Sequence, residues 1–239
     1  MLSLFRSDEA FGFKGRKLGG TPYFGTLGIP DFESESSWQM LSIAHVRYFS
    51  DLLRIAGLSH GTHTWIDNAE QLIAGGMELK DVISHRDDIM LFLESRGMRR
   101  EEAFRIMEEA RTGRMSRDSN ACYAELMNEA GIPQWYIESC RKILYLFPKA
   151  NSANWIKRIW KLAFYKLYYP DAFYTEVLKY RSIPEAVKHD PDMLNIMISQ
   201  LEGYRELTDD EDRMLQTLYL LSEARDRGCD INRIIIEAR

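Results

Sequence analysis

Small polar residues are concentrated in residues 57–65, where the sequence is Gly-Leu-Ser-His-Gly-Thr-His-Thr-Trp. Hydroxyl groups, imidazoles and the free backbone N–H groups of a tight loop can hold an anion or a phosphate backbone. An apolar helical stripe in residues 52–56 precedes this loop, which predicts that Gly57 ends a helix and that Gly61 is a second residue free to adopt a positive φ. The alternative interpretation is an ordinary helix–loop–helix corner whose Ser and Thr residues cap the next helix.

Basic residues provide a second candidate for binding chemistry, although the formal net charge of the chain is -5. Residues 141–181 contain nine basic and two acidic residues, a net charge of +7, whereas residues 190–239 contain twelve acids and six arginines, a net charge of -6. A helix predicted over residues 149–168, between Pro148 and Pro170, interleaves cations with aromatic rings, which suits phosphate neutralisation and base stacking. Because rings at helical spacing usually fill a core, we expect most of them to be buried and only the start of the helix to be functional.

Seven arginines lie between residues 96 and 117. A connection of small residues at positions 113–116 could present Arg111, Arg114 and Arg117 to DNA. Four glutamates in the same stretch favour the alternative, a solvated helix face with ion pairs between successive turns.

Signatures of catalysis are missing from the sequence, which has no Ser-His-Asp set, no phosphate-binding glycine loop and no metal-spaced His and Cys residues. Asp87 and Asp88 fall in a predicted helix, where successive side chains point about 100° apart, so we expect caps or ion-pair partners rather than metal ligands. The three cysteines are widely spaced, which favours a reducing, cytoplasmic location. No run of 18 apolar residues is present and the first six residues do not resemble a signal peptide, so no membrane association is expected.

Periodicity predicts a mainly α fold, an irregular multi-helix domain with a long N-terminal loop, a C-terminal helical extension and a short terminal strand. Residues 1–37 form the irregular N-terminal segment, residues 38–181 the helical domain, and residues 182–239 the extension, which we expect to end before a further domain. A capping box at residues 208–211 predicts the start of a helix, and three consecutive isoleucines predict a strand over residues 231–239.

Six segments occur in the same order as the signature segments of one protein family. Residues 25–32 (GTLGIPDF) are similar to GTLGIPEF, 55–65 (IAGLSHGTHTW) to ISGLSHGTDxW, 86–90 (RDDIM) to the end of CRDDIM, 103–108 (AFRIME) to AFKIME, 133–140 (PQWYIESC) to PEWYIDSC, and 147–150 (FPKA) to the start of FPKAHAAAY. The chain therefore resembles the fingers region of PolC-type DNA polymerase III alpha subunits over residues 25 to about 180, with weaker similarity beyond.

The resemblance implies a fold that covers the incoming nucleotide and steers the template DNA. It implies nucleotide binding by Ser59, His60, Gly61, Arg86, Lys149 and Asn151, and we expect DNA contacts from Arg111, Arg114, Arg117, Lys157, Arg158 and Lys161. The family carries its metal-binding aspartates in a palm that has no counterpart here, so we expect no catalytic residue, no metal ligand and no cofactor in this chain. Mg²⁺ is expected only together with a palm domain, and the chain by itself should not polymerise DNA.

Six positions depart from the family pattern and indicate that the deoxynucleotide triphosphate binds weakly if at all. The family commonly has Asp, Cys, His, Ala, Ala and Tyr at positions that are here His63, His85, Asn151, Ser152, Asn154 and Trp155. Three interpretations stay open: a fingers portion that binds primer–template DNA and works with a separate palm-containing chain, a stand-alone non-catalytic DNA-binding or replication-accessory module, and a helical protein-interaction scaffold.

Overall fold

The computed structural model describes residues 1–7, 11, 17–18, 21–22, 24–117 and 121–238. Its contacts define two compact units, one of Gln39–Arg158 and one that combines Ser3–Trp38 with Ile159–Arg239. The predicted division into residues 1–37, 38–181 and 182–239 stays a prediction, because units defined by dense contacts need not coincide with the domains of a protein family. Most of the glycine-rich stretch at residues 12–20, which we expected to be irregular, lies outside the described residues.

The described chain is mainly helical, as predicted. The α-helices in chain order are α1 (Glu35–Ala44), α2 (Phe49–His60), α3 (Glu70–Ala74), α4 (Arg86–Ser95), α5 (Arg100–Arg111), α6 (Ala121–Glu129), α7 (Gln134–Lys142), α8 (Lys149–Tyr168), α9 (Pro170–Leu178), α10 (Glu185–His189), α11 (Met193–Glu202), α12 (Asp209–Asp226) and α13 (Ile231–Glu237). Short 3-10 turns cover Leu2–Phe5 and Arg114–Ser116, and a distorted π-type turn covers Trp65–Ala69. In the described ranges no helix is both long and apolar enough to cross a membrane.

Two short strands, β1 (Lys17–Leu18) and β2 (Thr21–Pro22), form an antiparallel pair in which Leu18 is opposite Thr21. They belong to the N-terminal segment for which the sequence predicted only a loop. An isolated antiparallel bridge also joins Thr62 to Tyr145.

One core cluster of the 39–158 unit contains apolar side chains from α4, α5 and α7 together with residues of the neighbouring segments. Ile89 and Leu93 of α4 are fully buried, as are Ala103 and Ile106 of α5. Because residues three and four positions apart share one helix face, each helix turns a continuous apolar stripe inward. This packing holds the first residue of α4 in a defined place.

A buried ion pair lies inside the second unit. Lys166 on α8 and Glu223 on α12 have no exposed side-chain surface, and Lys166 Nζ lies 2.6 Å from Glu223 Oε1. Tyr174 donates a hydrogen bond of 2.7 Å to the same carboxylate oxygen, and burial lowers the pKa of the Lys166 ammonium. Lys166 therefore belongs to the core and not to the basic surface in which the sequence placed it.

The predicted strand over residues 231–239 is wrong, because residues 231–237 form α13. The Asp230 side chain accepts a hydrogen bond of 3.2 Å from the Arg233 N–H, which caps the helix. Ile231, Ile234 and Ile235 are buried on one side, whereas Ile236 is exposed. As a helix, the segment buries Ile231, Ile234 and Ile235 on one face. This burial outweighs the preference of β-branched residues for strands.

Candidate functional site

The loop that follows α2 differs from its prediction in two ways. The helix does not end at Gly57 but continues to His60, and Gly61 has an extended backbone with φ of -80°. A Cβ atom at Gly57 would lie 2.5 Å from His85 Nε2 and 2.5 Å from the Ser84 carbonyl oxygen. Gly57 is therefore required by close packing and not by a turn, a feature that no local pattern signals.

Two backbone N–H groups of this loop are bonded to the protein itself. The Gly61 N–H donates to the Gly57 carbonyl at 3.1 Å, and the Thr62 N–H donates to the Tyr145 carbonyl at 3.0 Å. The exposed Ser59 donates its hydroxyl to Ala56 at 3.2 Å. These two N–H groups are therefore not free for a ligand. The segment is a helix–loop corner, but its Ser and Thr residues do not cap the following turn as the alternative interpretation expected, because Thr64 donates its hydroxyl to the Leu58 carbonyl at 2.7 Å.

Two of the predicted nucleotide-binding cations begin neighbouring helices. Arg86 is the first residue of α4 and Lys149 is the first residue of α8. The Lys149 backbone N–H donates to Asp87 Oδ2 at 3.3 Å, and its Nζ lies 3.5 Å from Asp88 Oδ1. The Arg86 side chain makes no hydrogen bond or ion pair with any described residue, and Asn151 is exposed in the first turn of α8. The fold thus brings Arg86, Lys149 and Asn151 to one region.

A buried polar network beneath this region joins α4 to α8. His85, fully buried, has Nε2 at 2.8 Å from Ser152 Oγ and Nδ1 at 3.0 Å from Ser84 Oγ. Asp88 accepts hydrogen bonds from the Ser84 hydroxyl at 2.7 Å and from the His85 N–H at 3.0 Å, which forms a capping box. Arg54 on α2 adds a charged contact to Asp88 at 3.4 Å. Sequence reasoning marked His85 and Ser152 only as separate departures from the family pattern.

This network changes the acidity of Asp88. Burial would raise the pKa of its carboxyl group, but hydrogen bonding with His85, the Arg54 charge and the Ser84 hydroxyl outweigh burial and hold the pKa well below its usual range. Asp88 is therefore a carboxylate that the fold stabilises, and its charge partly neutralises the nearby Lys149.

The predicted DNA-binding cations fall into two groups. Arg111 makes two hydrogen bonds of 2.7 Å to Glu108, and Arg114 makes two of 2.9 Å to Glu109. The remaining predicted cations are exposed and have no side-chain hydrogen bond or ion pair to any described residue; they are Arg117, Lys157 and Arg158 in the 39–158 unit and Lys161 in the other unit. Ion pairing was thus the correct alternative for Arg111 and Arg114. The other four cations are not neutralised by a described carboxylate and can contact an anionic ligand.

The prediction that most aromatic rings of α8 are buried is wrong. Phe164, Tyr165, Tyr168 and Tyr169 are exposed, because the inward face of this part of the helix consists of Ile159, Ala163 and Lys166. The sequence spacing showed that the aromatic residues share one side of the helix, but it did not show whether that side faces the core or the solvent.

No group of three or more His, Cys, Asp or Glu side chains that could hold a metal ion occurs among the residues with a described placement. Asp87 and Asp88 act as ion-pair and capping residues, as predicted, because Asp87 accepts from Lys149 and Asp88 from Ser84 and His85.

The described residues form a mainly helical domain with the exposed cations Lys157, Arg158 and Lys161 on the surface of α8. The chain belongs to the family of the bacterial DNA polymerase III alpha subunit finger domain, whose model matches residues 3–131.

Relatives with similar sequences are PolC-type DNA polymerase III proteins. The chain is 43% identical to that of Caldanaerobacter subterraneus subsp. tengcongensis over 182 residues, which are 76% of this chain and 13% of the relative. It is 39% identical to that of Mycoplasmopsis pulmonis over 246 residues (98% of this chain, 17% of the relative) and 34% identical to that of Streptococcus pyogenes serotype M5 over 244 residues (98% and 16%). The chain thus spans less than a fifth of the length of these relatives.

Proposed function

We propose that this chain acts as the fingers portion of a PolC-type DNA polymerase, where it contacts the incoming deoxynucleotide triphosphate and the primer–template DNA. The observation that carries the proposal is the placement of Arg86 and Lys149 at the starts of two neighbouring helices, held together by the contact of Lys149 with Asp87. DNA synthesis itself would require a palm, in a separate chain or in another segment, together with the Mg²⁺ that the palm holds.

The chemistry of this region suits a triphosphate. Each helix start carries a partial positive charge, and the Arg86 guanidinium can bind phosphate oxygens bidentately. Asp88 lies 3.5 Å from the Lys149 ammonium and competes with a phosphate for it. We therefore expect nucleotide binding to be weak, with Ser59, His60, Gly61 and Asn151 as accessory contacts.

DNA binding would rely on cations that have no acidic partner in the described structure. Arg117, Lys157, Arg158 and Lys161 meet this condition, and each phosphate contact releases condensed counterions. Arg111 and Arg114 remain predicted contacts, but their pairing with glutamates makes them the weaker candidates.

A salt titration of binding to primer–template DNA tests the proposal. The logarithm of affinity should fall linearly with the logarithm of salt concentration, and replacement of Lys157, Arg158 and Lys161 by Ala should flatten the slope by about 0.9 per lost phosphate contact. The Arg111→Ala/Arg114→Ala variant is a control that should change the slope less. Addition of deoxynucleotide triphosphate and Mg²⁺ should tighten binding, and Arg86→Ala should remove that tightening.

The outcome separates the three interpretations. DNA binding whose affinity does not change when the nucleotide is added would support the second interpretation, a non-catalytic DNA-binding or replication-accessory module. A chain that binds no DNA at any salt concentration would contradict the proposal and leave a protein-interaction scaffold.

A further inference from the structure

Four aromatic side chains form an exposed cluster on the last turns of α8 and at the residue after it. Phe164, Tyr165, Tyr168 and Tyr169 are 39%, 51%, 60% and 55% exposed. The centroid of the Phe164 ring lies 4.9 Å from that of Tyr168 and 5.9 Å from that of Tyr169, and the Tyr165 centroid lies 5.9 Å from that of Tyr169. We refer to these four residues as the α8 ring cluster.

The α8 ring cluster does not serve the core of its own unit. Ile159, Ala163 and Lys166 form the buried face of this part of the helix, so the rings point away from it. Exposed aromatic rings in mutual contact offer a flat apolar surface against which a ligand can pack.

The charges beside the cluster favour an anionic ligand at one end. Lys161, one turn before Phe164 and Tyr165, is exposed and has no ion pair to any described residue. At the other end, Lys179 pairs with Glu176 and Arg233 pairs with Glu237. A carboxylate, Asp171, is also exposed there. A free positive charge is therefore available beside the start of the cluster, whereas Lys179 and Arg233 at its far end are each paired with a carboxylate.

We propose that the α8 ring cluster stacks the unpaired bases of a single-stranded nucleic acid while Lys161 contacts a phosphate. Flat rings next to a cation match a polymer that alternates flat bases with anionic phosphates. Paired bases within a duplex are stacked on one another and cannot cover the rings, so the ligand is a single strand. This inference rests on the proposed function for the class of ligand and adds base stacking to the phosphate contacts.

The experiment compares two labelled single strands of equal length, oligo-dT and a strand of abasic sites, which carry the same phosphates. We expect the full chain to bind oligo-dT more tightly than the abasic strand in fluorescence anisotropy. The Tyr165→Ala/Tyr168→Ala variant should lose about 5- to 150-fold in affinity for oligo-dT per stacked ring and little for the abasic strand. Tyr165→Phe/Tyr168→Phe keeps the rings and should bind within about twofold of the original chain.

Tyr204→Ala is the matched control, since Tyr204 is 53% exposed and lies outside the cluster. Equal affinity of the original chain for the two strands, or an unchanged affinity of the Ala variant, would overturn the inference and leave the rings as a surface for protein. If salt-dependent binding to primer–template DNA survives in that case, the proposed function stands without the stacking surface. A chain that binds no DNA of any kind refutes both.

Discussion

His85 Nε2 and Ser152 Oγ lie 2.8 Å apart, in the buried interior between the starts of α4 and α8 and 67 residues apart in the sequence. The resemblance described in the sequence analysis implies Cys and Ala at these positions, so both partners of this hydrogen bond are departures from the expected pattern. A buried imidazole requires a polar partner, and the hydroxyl of Ser152 supplies it. Ser152 therefore compensates for the burial of His85 through a hydrogen bond that links the start of α4 to α8.

This compensation predicts a non-additive effect on stability. Ser152→Ala would leave a buried ring nitrogen without its partner and should lower the free energy of unfolding by about 1–3 kcal/mol. His85→Cys should also destabilise, because it opens a cavity and leaves the Ser152 hydroxyl without its partner. The double variant His85→Cys/Ser152→Ala should cost less than the sum of the single changes. Urea denaturation measures all three values, and strictly additive effects would contradict the coupling.

Gly57 should not tolerate alanine, although it lies within a helix, where alanine is normally favoured. The added Cβ would meet His85 Nε2 and the Ser84 carbonyl oxygen at 2.5 Å, and such overpacking costs about 1–3 kcal/mol. We expect Gly57→Ala to lower the thermal unfolding midpoint. Gly203→Ala is the control, since the nearest atom to its Cβ would be 3.3 Å away and its φ is -75°. Equal effects of the two substitutions would argue against the close approach.

Acid should destabilise the protein through Asp88. Because the pKa of Asp88 is lower in the folded chain than in the unfolded chain, its contribution to stability is complete above the unfolded pKa of about 3.9 and is lost as the pH falls toward the folded pKa. Asp88→Asn should therefore reduce stability at pH 7 by about 1–3 kcal/mol and weaken the fall in stability below pH of about 4. Urea titrations at several pH values test this, with Glu129→Gln as a matched carboxyl-to-amide control at an exposed position, which should change stability at pH 7 by less than about 0.5 kcal/mol.

The buried pair of Lys166 and Glu223 predicts a large effect from a single substitution. Lys166→Met would leave the Glu223 carboxylate buried without its cation and should lower the free energy of unfolding by about 3–5 kcal/mol. Lys166→Met/Glu223→Gln should be less harmful, since no charge stays buried and the amide can still accept from Tyr174. Lys161→Met, on the exposed side of the same helix, should change stability by less than about 0.5 kcal/mol. A similar loss for both lysine variants would show that burial is not the cause.

The sequence by itself determined the features whose causes are local. α8 begins at Lys149 and ends at Tyr168, between the two prolines that limit it, as its periodicity predicted. The capping box of Thr208 and Glu211 marks the start of α12 as predicted, because the bonds that form it join residues three apart. Membership of the family also follows from the order of six short segments, a property that needs no structure.

Only the tertiary structure decided which side chains are buried and which are bonded to distant partners. It separated Arg111, which is paired with Glu108, from the free Arg117, and it placed Lys166 in the core and Tyr165 at the surface. The predicted terminal strand was wrong because strand propensity ignores the core that Ile231 and Ile234 join as a helix. Burial and pairing depend on residues far apart in the chain, so local composition and spacing do not specify them.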